Sequence, residues 1–258
     1  SSHVMPALSG ELASIVESTM RSHGIELYTK SGLEGIASQG SSLCVSHSNG
    51  QPITCQLVII SIGVSPNSTL AKDCQLPLGP RGSILVDSHM RTGDPTIFAV
   101  GDAVQVTNSV TGLATSVPLA GPANREGRLA GDVLCGFEEE FRGVQGTAVC
   151  KVFDLTIAMT GETPDSLKRW KAKEAERAEC VHVHSPSHAS YYPGASPIHL
   201  NMTFDRKDGR VLGAQAVGTE GVDKRIDVLS VFVQMKAKVS DVAQAELCYA
   251  PPVGKGYA

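Results

Sequence analysis

The sequence predicts an α/β region followed by an α+β region, and three observations carry this. Short unbroken apolar runs, Leu57-Val58-Ile59-Ile60 and Ile97-Phe98-Ala99-Val100, each lead to a glycine, as buried strands do. Apolar residues recur at helical spacing between such runs, as at Leu12, Ile15, Val16 and Met20. Past residue 146 the texture changes to period-two alternation. There Ile198, Leu200, Met202 and Phe204 alternate with His199, Asn201 and Thr203, and an Asp208-Gly209 turn follows.

The elements follow in order. Leu8 to His23 reads as a helix that Gly24 ends. Ile25-Glu26-Leu27-Tyr28 reads as a strand. Ser42 to His47 and Ile53 to Gln56 read as strands joined through Asn49-Gly50, a hairpin signal. Gln56 to Gly63 reads as a buried strand that exits through Gly63-Val64-Ser65-Pro66-Asn67. Ser83 to Asp87 and Thr96 to Val100 are strand-like. Pro122 to Cys135 is expected to be helical, opened by Gly121-Pro122 and ended by Gly136, with Ala123, Leu129, Ala130 and Val133 on its apolar face.

In the last part, Thr147 to Phe153 and Thr156 to Thr160 are strand-like, Asp165 to Arg177 is a charged helix, and Val181 to His184 is a short strand. Ile198 to Phe204 is a strand with one buried face, Arg210 to Val217 is its hairpin partner, and Asp223 to Gln234 is an amphipathic helix. This order gives an antiparallel sheet with helices on one face. The expected divisions are 1–63, 64–140 and 146–258.

Composition bounds the function. A chain of 258 residues with 41% hydrophobic and 19% charged residues can bury a core and hold about one or two domains. A net charge of -4 argues against a nucleic-acid partner, which needs a basic face. No apolar run approaches the ~20 residues that span a bilayer, so no membrane partner is expected. The seven cysteines are scattered, odd in number and without a Cys-x-x-Cys pair, which points to a reduced, cytoplasmic setting. The first residues have neither a basic nor an apolar leader segment. They do not begin with Met, so an upstream portion is expected.

Several residues are candidates for chemistry. Gly101 lets backbone approach a ligand closely, and Asp102, just past the run Thr96 to Val100, can accept hydrogen bonds from ligand hydroxyls. Pro118-Leu119-Ala120-Gly121-Pro122 leads into a helix whose first N–H groups favour negative charge. His182 and His184 lie on one face of a strand, but no third ligand is evident nearby, and zinc sites use three or four. No metal is expected. The charged block Gly221 to Val228 reads from its residues as a solvated first helical turn with Asp223 on the dipole.

The stretch Asp94-Pro95-Thr96-Ile97-Phe98-Ala99-Val100-Gly101-Asp102-Ala103 resembles the second flavin-binding motif of the pyridine nucleotide-disulfide oxidoreductases. Gly63 with Pro66-Asn67 resembles the family's crossover from NAD- to FAD-binding domain. Three further blocks resemble the coenzyme A-disulfide reductase and NADH oxidase branch: His188-Ala189-Ser190-Tyr191-Tyr192-Pro193-Gly194-Ala195, Gly221-Val222-Asp223-Lys224-Arg225-Ile226-Asp227-Val228, and Tyr249-Ala250-Pro251-Pro252. The His-Glu pair of glutathione reductase and lipoamide dehydrogenase is not seen.

The resemblance implies partial FAD/NAD(P)-binding dinucleotide domains followed by a C-terminal dimerisation domain. It implies FAD and NAD(P)H as cofactors, with Asp102 on the ribityl chain, Gly63, Gly101 and Pro118-Leu119-Ala120 in cofactor contact, and the helix start at the flavin pyrimidine edge. It implies a homodimer in which Tyr191 and Tyr249 reach the redox cysteine of the opposite subunit. Tyr192 points to the other face of an extended segment. The implied substrate is a small disulfide such as coenzyme A disulfide, a persulfide, or an oxygen-derived acceptor.

The chain departs from the family pattern in three places. It holds no Gly-x-Gly-x-x-Gly, no cysteine in a Ser-Phe-x-x-Cys setting, and no Ala-Lys-Asp-Pro-like segment after Pro252; it closes instead on Val253-Gly254-Lys255-Gly256-Tyr257-Ala258. The expectation is a C-terminal fragment with little activity of its own. The alternative is a non-catalytic dimerisation module, a degenerate or truncated relative.

Overall fold

The computed structural model describes residues 2–254, so residues 255–258 of the closing run lie outside the described residues. Helix α1 (Gly10–Ser22) buries Leu12, Ala13 and Val16 on one stripe. Gly24 follows at φ +80, a left-handed conformation that glycine adopts without strain. Strands β1 (Leu33–Gln39), β2 (Ser42–His47) and β3 (Ile53–Cys55) form an antiparallel sheet in that order. Strand β1 has no apolar alternation to announce it, and six of its seven residues are exposed.

Two of the expected strands do not form. Among the described residues, Ile25–Tyr28 and the run Leu57–Ile60 pair with no strand and carry no strand assignment. Leu57, Ile59 and Ile62 are 74%, 82% and 87% exposed, so the run is not buried. A strand of a parallel sheet takes its hydrogen bonds from neighbours remote in sequence. Among the described residues these runs have no such neighbour.

The chain divides into two units. One holds the residues through Val64 together with Lys151–Leu155, whose Phe153 ring stacks on His23 at 3.8 Å between centroids. The other holds Ser65–Cys150 and the residues from Thr156 onward.

The second unit begins with the short helix α2 (Thr69–Asp73) and a sheet in which β4 (Ile84–Leu85) runs parallel to β5 (Val104–Thr107), which is antiparallel to β6 (Ala114–Thr115). Met90, Val104, Val106, Ala130 and Val144 form its core, with Ile84, Val86, Phe98 and Leu129 packed against them. Thr96–Val100, expected as a strand, makes one bridge, Arg91 to Phe98. Asp94 is the reason. Its carboxylate accepts from the Thr96 N–H at 2.9 Å and hydroxyl at 2.7 Å, and its carbonyl accepts from the Ile97 N–H at 3.0 Å. That turn uses the donors a ladder would need. Helix α3 (Ala120–Leu134) then runs to Gly136 at φ +92.

The remaining elements are β7 (Ala148–Val152), β8 (Leu155–Gly161), α4 (Pro164–Arg169), β9 (Ala178–Pro186), β10 (Pro197–Asp205), β11 (Val211–Gly218), α5 (Val222–Gln234) and α6 (Val239–Ala243). The sheet is ordered β7-β8-β11-β10-β9, with antiparallel pairing along β8-β11-β10-β9. Helix α5 buries Val222, Ile226 and Leu229 with Ala158, Ile198, Ala214 and Ala216. Leu200 and Met202 of β10 pack against that cluster, as their alternation predicts.

Two expectations are corrected here. The other face of β10 is not open: Asn201, Thr203 and Asp205 are also buried. Asp205 is held by Arg177, whose Nε and Nη2 reach its two carboxylate oxygens at 3.1 and 2.8 Å. The Asp165–Arg177 helix is only the six residues of α4, because Lys171 turns left-handed at φ +53. A Thr163–Ser166 capping box opens it.

Strands β8 and β11 approach unusually closely at one point. A Cβ added to Gly213 would lie 2.3 Å from the Glu162 carbonyl oxygen and 2.4 Å from its nitrogen. Those atoms are backbone and cannot rotate away. Gly213→Ala should therefore destabilise the chain by about 1–3 kcal/mol, as overpacking does. Urea unfolding measures it as a lower midpoint at unchanged slope. A change within the ~0.5 kcal/mol typical of surface sites would contradict the packing argument.

Candidate functional site

Gly101 opens a turn of 3-10 helix, Gly101–Ala103, immediately before β5. Its φ is +83, a conformation that side-chain-bearing residues rarely adopt. Asp102 is exposed on this turn and Gly101 is partly buried. A Cβ on Gly101 would stand 3.9 Å from Ala123 Cβ, so the turn lies against the start of α3. Leu119 is the N-cap of α3, in an extended conformation, and makes no side-chain capping bond. Pro118 and Ala120 beside it are exposed. An exposed carboxylate able to accept from hydroxyls thus sits beside a 15-residue helix whose first N–H groups lack a side-chain cap.

One residue of this site is not predicted by the sequence. Glu126 is 2% exposed, and its Oε2 accepts the Gly101 N–H at 2.7 Å across 25 residues. It lies on the helix stripe with Pro122, Ala130 and Val133, where the apolar pattern expects Ala123 and Leu129. Burial raises its pKa above the usual carboxylate value; the Gly101 bond and Arg125 oppose that rise, and the Asp102 charge adds to it. Glu126 therefore fixes the left-handed turn from below.

The second cluster is built from three segments far apart in sequence. Tyr191 and Tyr249 place their hydroxyl oxygens 3.2 Å apart across 58 residues. The rings are 75% and 51% exposed. The Ala189 N–H donates to the Pro251 carbonyl at 3.2 Å, tying the two tyrosine segments together through backbone. Tyr192 turns elsewhere and meets the buried His188 edge-on at 5.8 Å.

Arg225 joins the third segment. Its Nη2 donates to the Ser187 carbonyl and its Nη1 to the Gly221 carbonyl, each at 2.9 Å. Burial lowers its pKa. Arg225 is thus a half-buried brace between chain segments, so the block Gly221–Val228 is more than a solvated first helical turn. Gly221, the left-handed N-cap of α5, leaves room for it: a Cβ there would stand 2.7 Å from Nη1.

Gly63 is exposed in the first unit at φ +104. All seven cysteines are free. Among the described residues no group of three or more His, Cys, Asp or Glu side chains is gathered to hold a metal ion, and no helix is long and apolar enough to cross a membrane.

Comparison with known proteins identifies the family. Residues 1–127 match the family described as pyridine nucleotide-disulphide oxidoreductase, and residues 147–257 match the dimerisation domain of the same family. The chain belongs to the pyridine nucleotide-disulphide oxidoreductases. Members of this family use FAD and NAD(P)H. Coenzyme A disulfide reductase of Staphylococcus epidermidis is 36% identical over 217 residues, covering 81% of this chain and 48% of that protein. NADH oxidase of Methanocaldococcus jannaschii is 36% identical over 253 residues, covering 95% of this chain and 53% of that protein. The solved structure of an NAD-dependent persulfide reductase from A. fulgidus superimposes with a TM-score of 0.93 at 37% identity, covering 99% of this chain and 47% of that one. The chain spans about half the length of the relatives it matches.

Glu126 makes the turn sensitive to pH with a defined sign. A carboxyl whose folded pKa is raised favours folding while protonated and loses that contribution as pH rises through the folded pKa. Glu126→Gln, which keeps an acceptor for Gly101 without the charge, should therefore gain stability relative to the parent as pH rises from about 4 to 7. Thermal unfolding across that range checks it. A Gln variant that loses stability relative to the parent as pH rises would contradict the buried-carboxyl account.

Proposed function

We propose that this chain is the C-terminal portion of an FAD-dependent NAD(P)H oxidoreductase that acts as a homodimer on a disulfide, persulfide or oxygen-derived acceptor, in the manner of a coenzyme A-disulfide reductase. Residues 1–63 serve as a partial NAD(P)-binding domain, 64–140 as a partial FAD-binding domain and 146–258 as the dimerisation domain. The observation that supports this best is the Tyr191–Tyr249 hydroxyl pair, assembled from separate segments and left at the surface. Two phenols placed only for packing have no need to bring their hydroxyls together.

The residues present fit the flavin. Asp102 offers a carboxylate to the hydroxyls of a ribityl chain, Gly101 removes the Cβ that would crowd it, and the uncapped N–H groups after Pro118-Leu119-Ala120 suit the pyrimidine edge. When bound, FAD supplies the electron transfer. The chain's own residues orient it: Glu126 fixes the Gly101 turn, and the α3 dipole favours negative charge at the facing edge. Gly63 serves the crossover from the nicotinamide side. Tyr191 and Tyr249 lie against the opposite subunit's redox cysteine, where one phenol donates a proton to a leaving thiolate and the other accepts or donates the bond between them.

Two tests follow. Purified as it stands, the chain should retain FAD weakly or not at all, because it carries no glycine-rich phosphate loop for the adenine side. Stoichiometric flavin in its visible spectrum would overturn this. In the full-length parent, Tyr191→Phe with Tyr249→Phe should leave the dimer and its flavin intact and slow disulfide reduction by about 10²-fold. A wild-type rate in that variant would remove the tyrosines from the mechanism. A parent that dimerises but neither holds flavin nor reduces a disulfide would favour the non-catalytic module instead.

A further inference from the structure

The sheet face opposite α5 carries an arrangement that the redox reading does not use. His184 on β9 and His199 on β10 are directly paired across the two strands. Their Nδ1 atoms lie 2.8 Å apart and their rings 4.9 Å apart at 63°. The sequence shows His182 and His184 on one strand face but gives no sign of His199, which antiparallel pairing alone brings alongside. The cluster stands on different residues from Tyr191, Tyr249 and the Gly101 turn.

We propose that His184 and His199 form a binding site for one divalent late first-row transition cation of the Ni²⁺ or Cu²⁺ class. Metal–imidazole bonds are about 2.0–2.1 Å, so two nitrogens in adjacent positions of a square or octahedral complex stand about 2.9 Å apart, against about 3.4 Å in a tetrahedron. The observed separation already matches the first of these. As the pair stands, one Nδ1 carries the proton shared between the rings and the other accepts it. A cation replaces that proton and leaves both rings neutral as Nε2–H tautomers. His184 is exposed, so water can fill the remaining positions. His182, two residues before His184, is also exposed and projects from the same strand face. A bound cation fastens the edge strand β9 to β10.

The test is a titration of the chain with NiCl₂, with the thiols kept reduced by a phosphine, followed by NMR of the imidazole groups and by calorimetry. At substoichiometric Ni²⁺ the signals of His184 and His199 should broaden first while those of His89 stay sharp. His184→Gln and His199→Gln should each weaken binding by about tenfold or more, whereas His89→Gln leaves it unchanged. Uniform broadening of all histidines overturns the proposal. So does an affinity that neither Gln variant alters while circular dichroism shows both variants folded.

Discussion

A buried hydrogen bond between Asn108 and Glu162 holds the second unit together. The Asn108 amide donates to Glu162 Oε1 at 2.6 Å across 54 residues, and both side chains are buried. Neither group stands alone. The Asn108 side-chain oxygen Oδ1 accepts the N–H groups of Val110 and Thr111, which sets the turn after β5. The other Glu162 oxygen accepts from the Ser166 hydroxyl, which is half of the capping box of α4. The segment that carries Gly101 and Asp102 is thereby fastened to the sheet that carries Tyr191. A buried carboxylate deprived of such a partner costs several kcal/mol, more than the bond itself contributes. The same strand end is where Gly161 and Gly213 let β8 and β11 approach backbone to backbone. Polar satisfaction and close packing thus coincide at one place.

Local elements of the fold were legible wherever residues separated by a few positions decide the structure. The β2–β3 and β10–β11 hairpins follow from Asn49-Gly50 and Asp208-Gly209, and α1, α3 and α5 follow from their apolar stripes and the glycines that end or open them. Some of what failed depended on remote partners, and some on local side-chain bonds. Leu57–Ile60 has the composition of a buried strand, but burial comes from its neighbours, and its own residues cannot supply them. Asp94 converted Thr96–Ile97 into a turn by capturing local donors, a competition that an apolar count does not register. Alternation in β10 identified the face toward α5 yet could not show that Asn201, Thr203 and Asp205 are also covered.

The candidate site divides along the same line. Gly101, Asp102 and the start of α3 are contiguous motifs, so their residue types expose them. Glu126 is invisible to that approach, because a glutamate in a helix of mixed charge reads as a solvated residue until the fold closes over it. Arg225 is similar: in sequence it stands among Asp223, Lys224 and Asp227 and reads as part of a salt-linked turn. In the fold it turns away from them toward two backbone carbonyls. A signal for such residues would have to come from pairs of positions, not from single motifs.

The choice of partners for Arg225 bears on the tyrosines. A guanidinium paired with a carboxylate would bring a compensating negative charge close to the Tyr191 and Tyr249 segments. Backbone carbonyls satisfy its donors without one. Arg225 also acts at a distance from the hydroxyls, through the Ser187 carbonyl that precedes His188 and Ala189, and Ala189 in turn donates to Pro251. Two backbone links and one half-buried cation therefore set where the tyrosine segments meet, while the phenols themselves stay exposed. The two tasks are thus divided between different groups: backbone bonds and a half-buried guanidinium fix the segments, and the exposed phenol hydroxyls meet only at their tips.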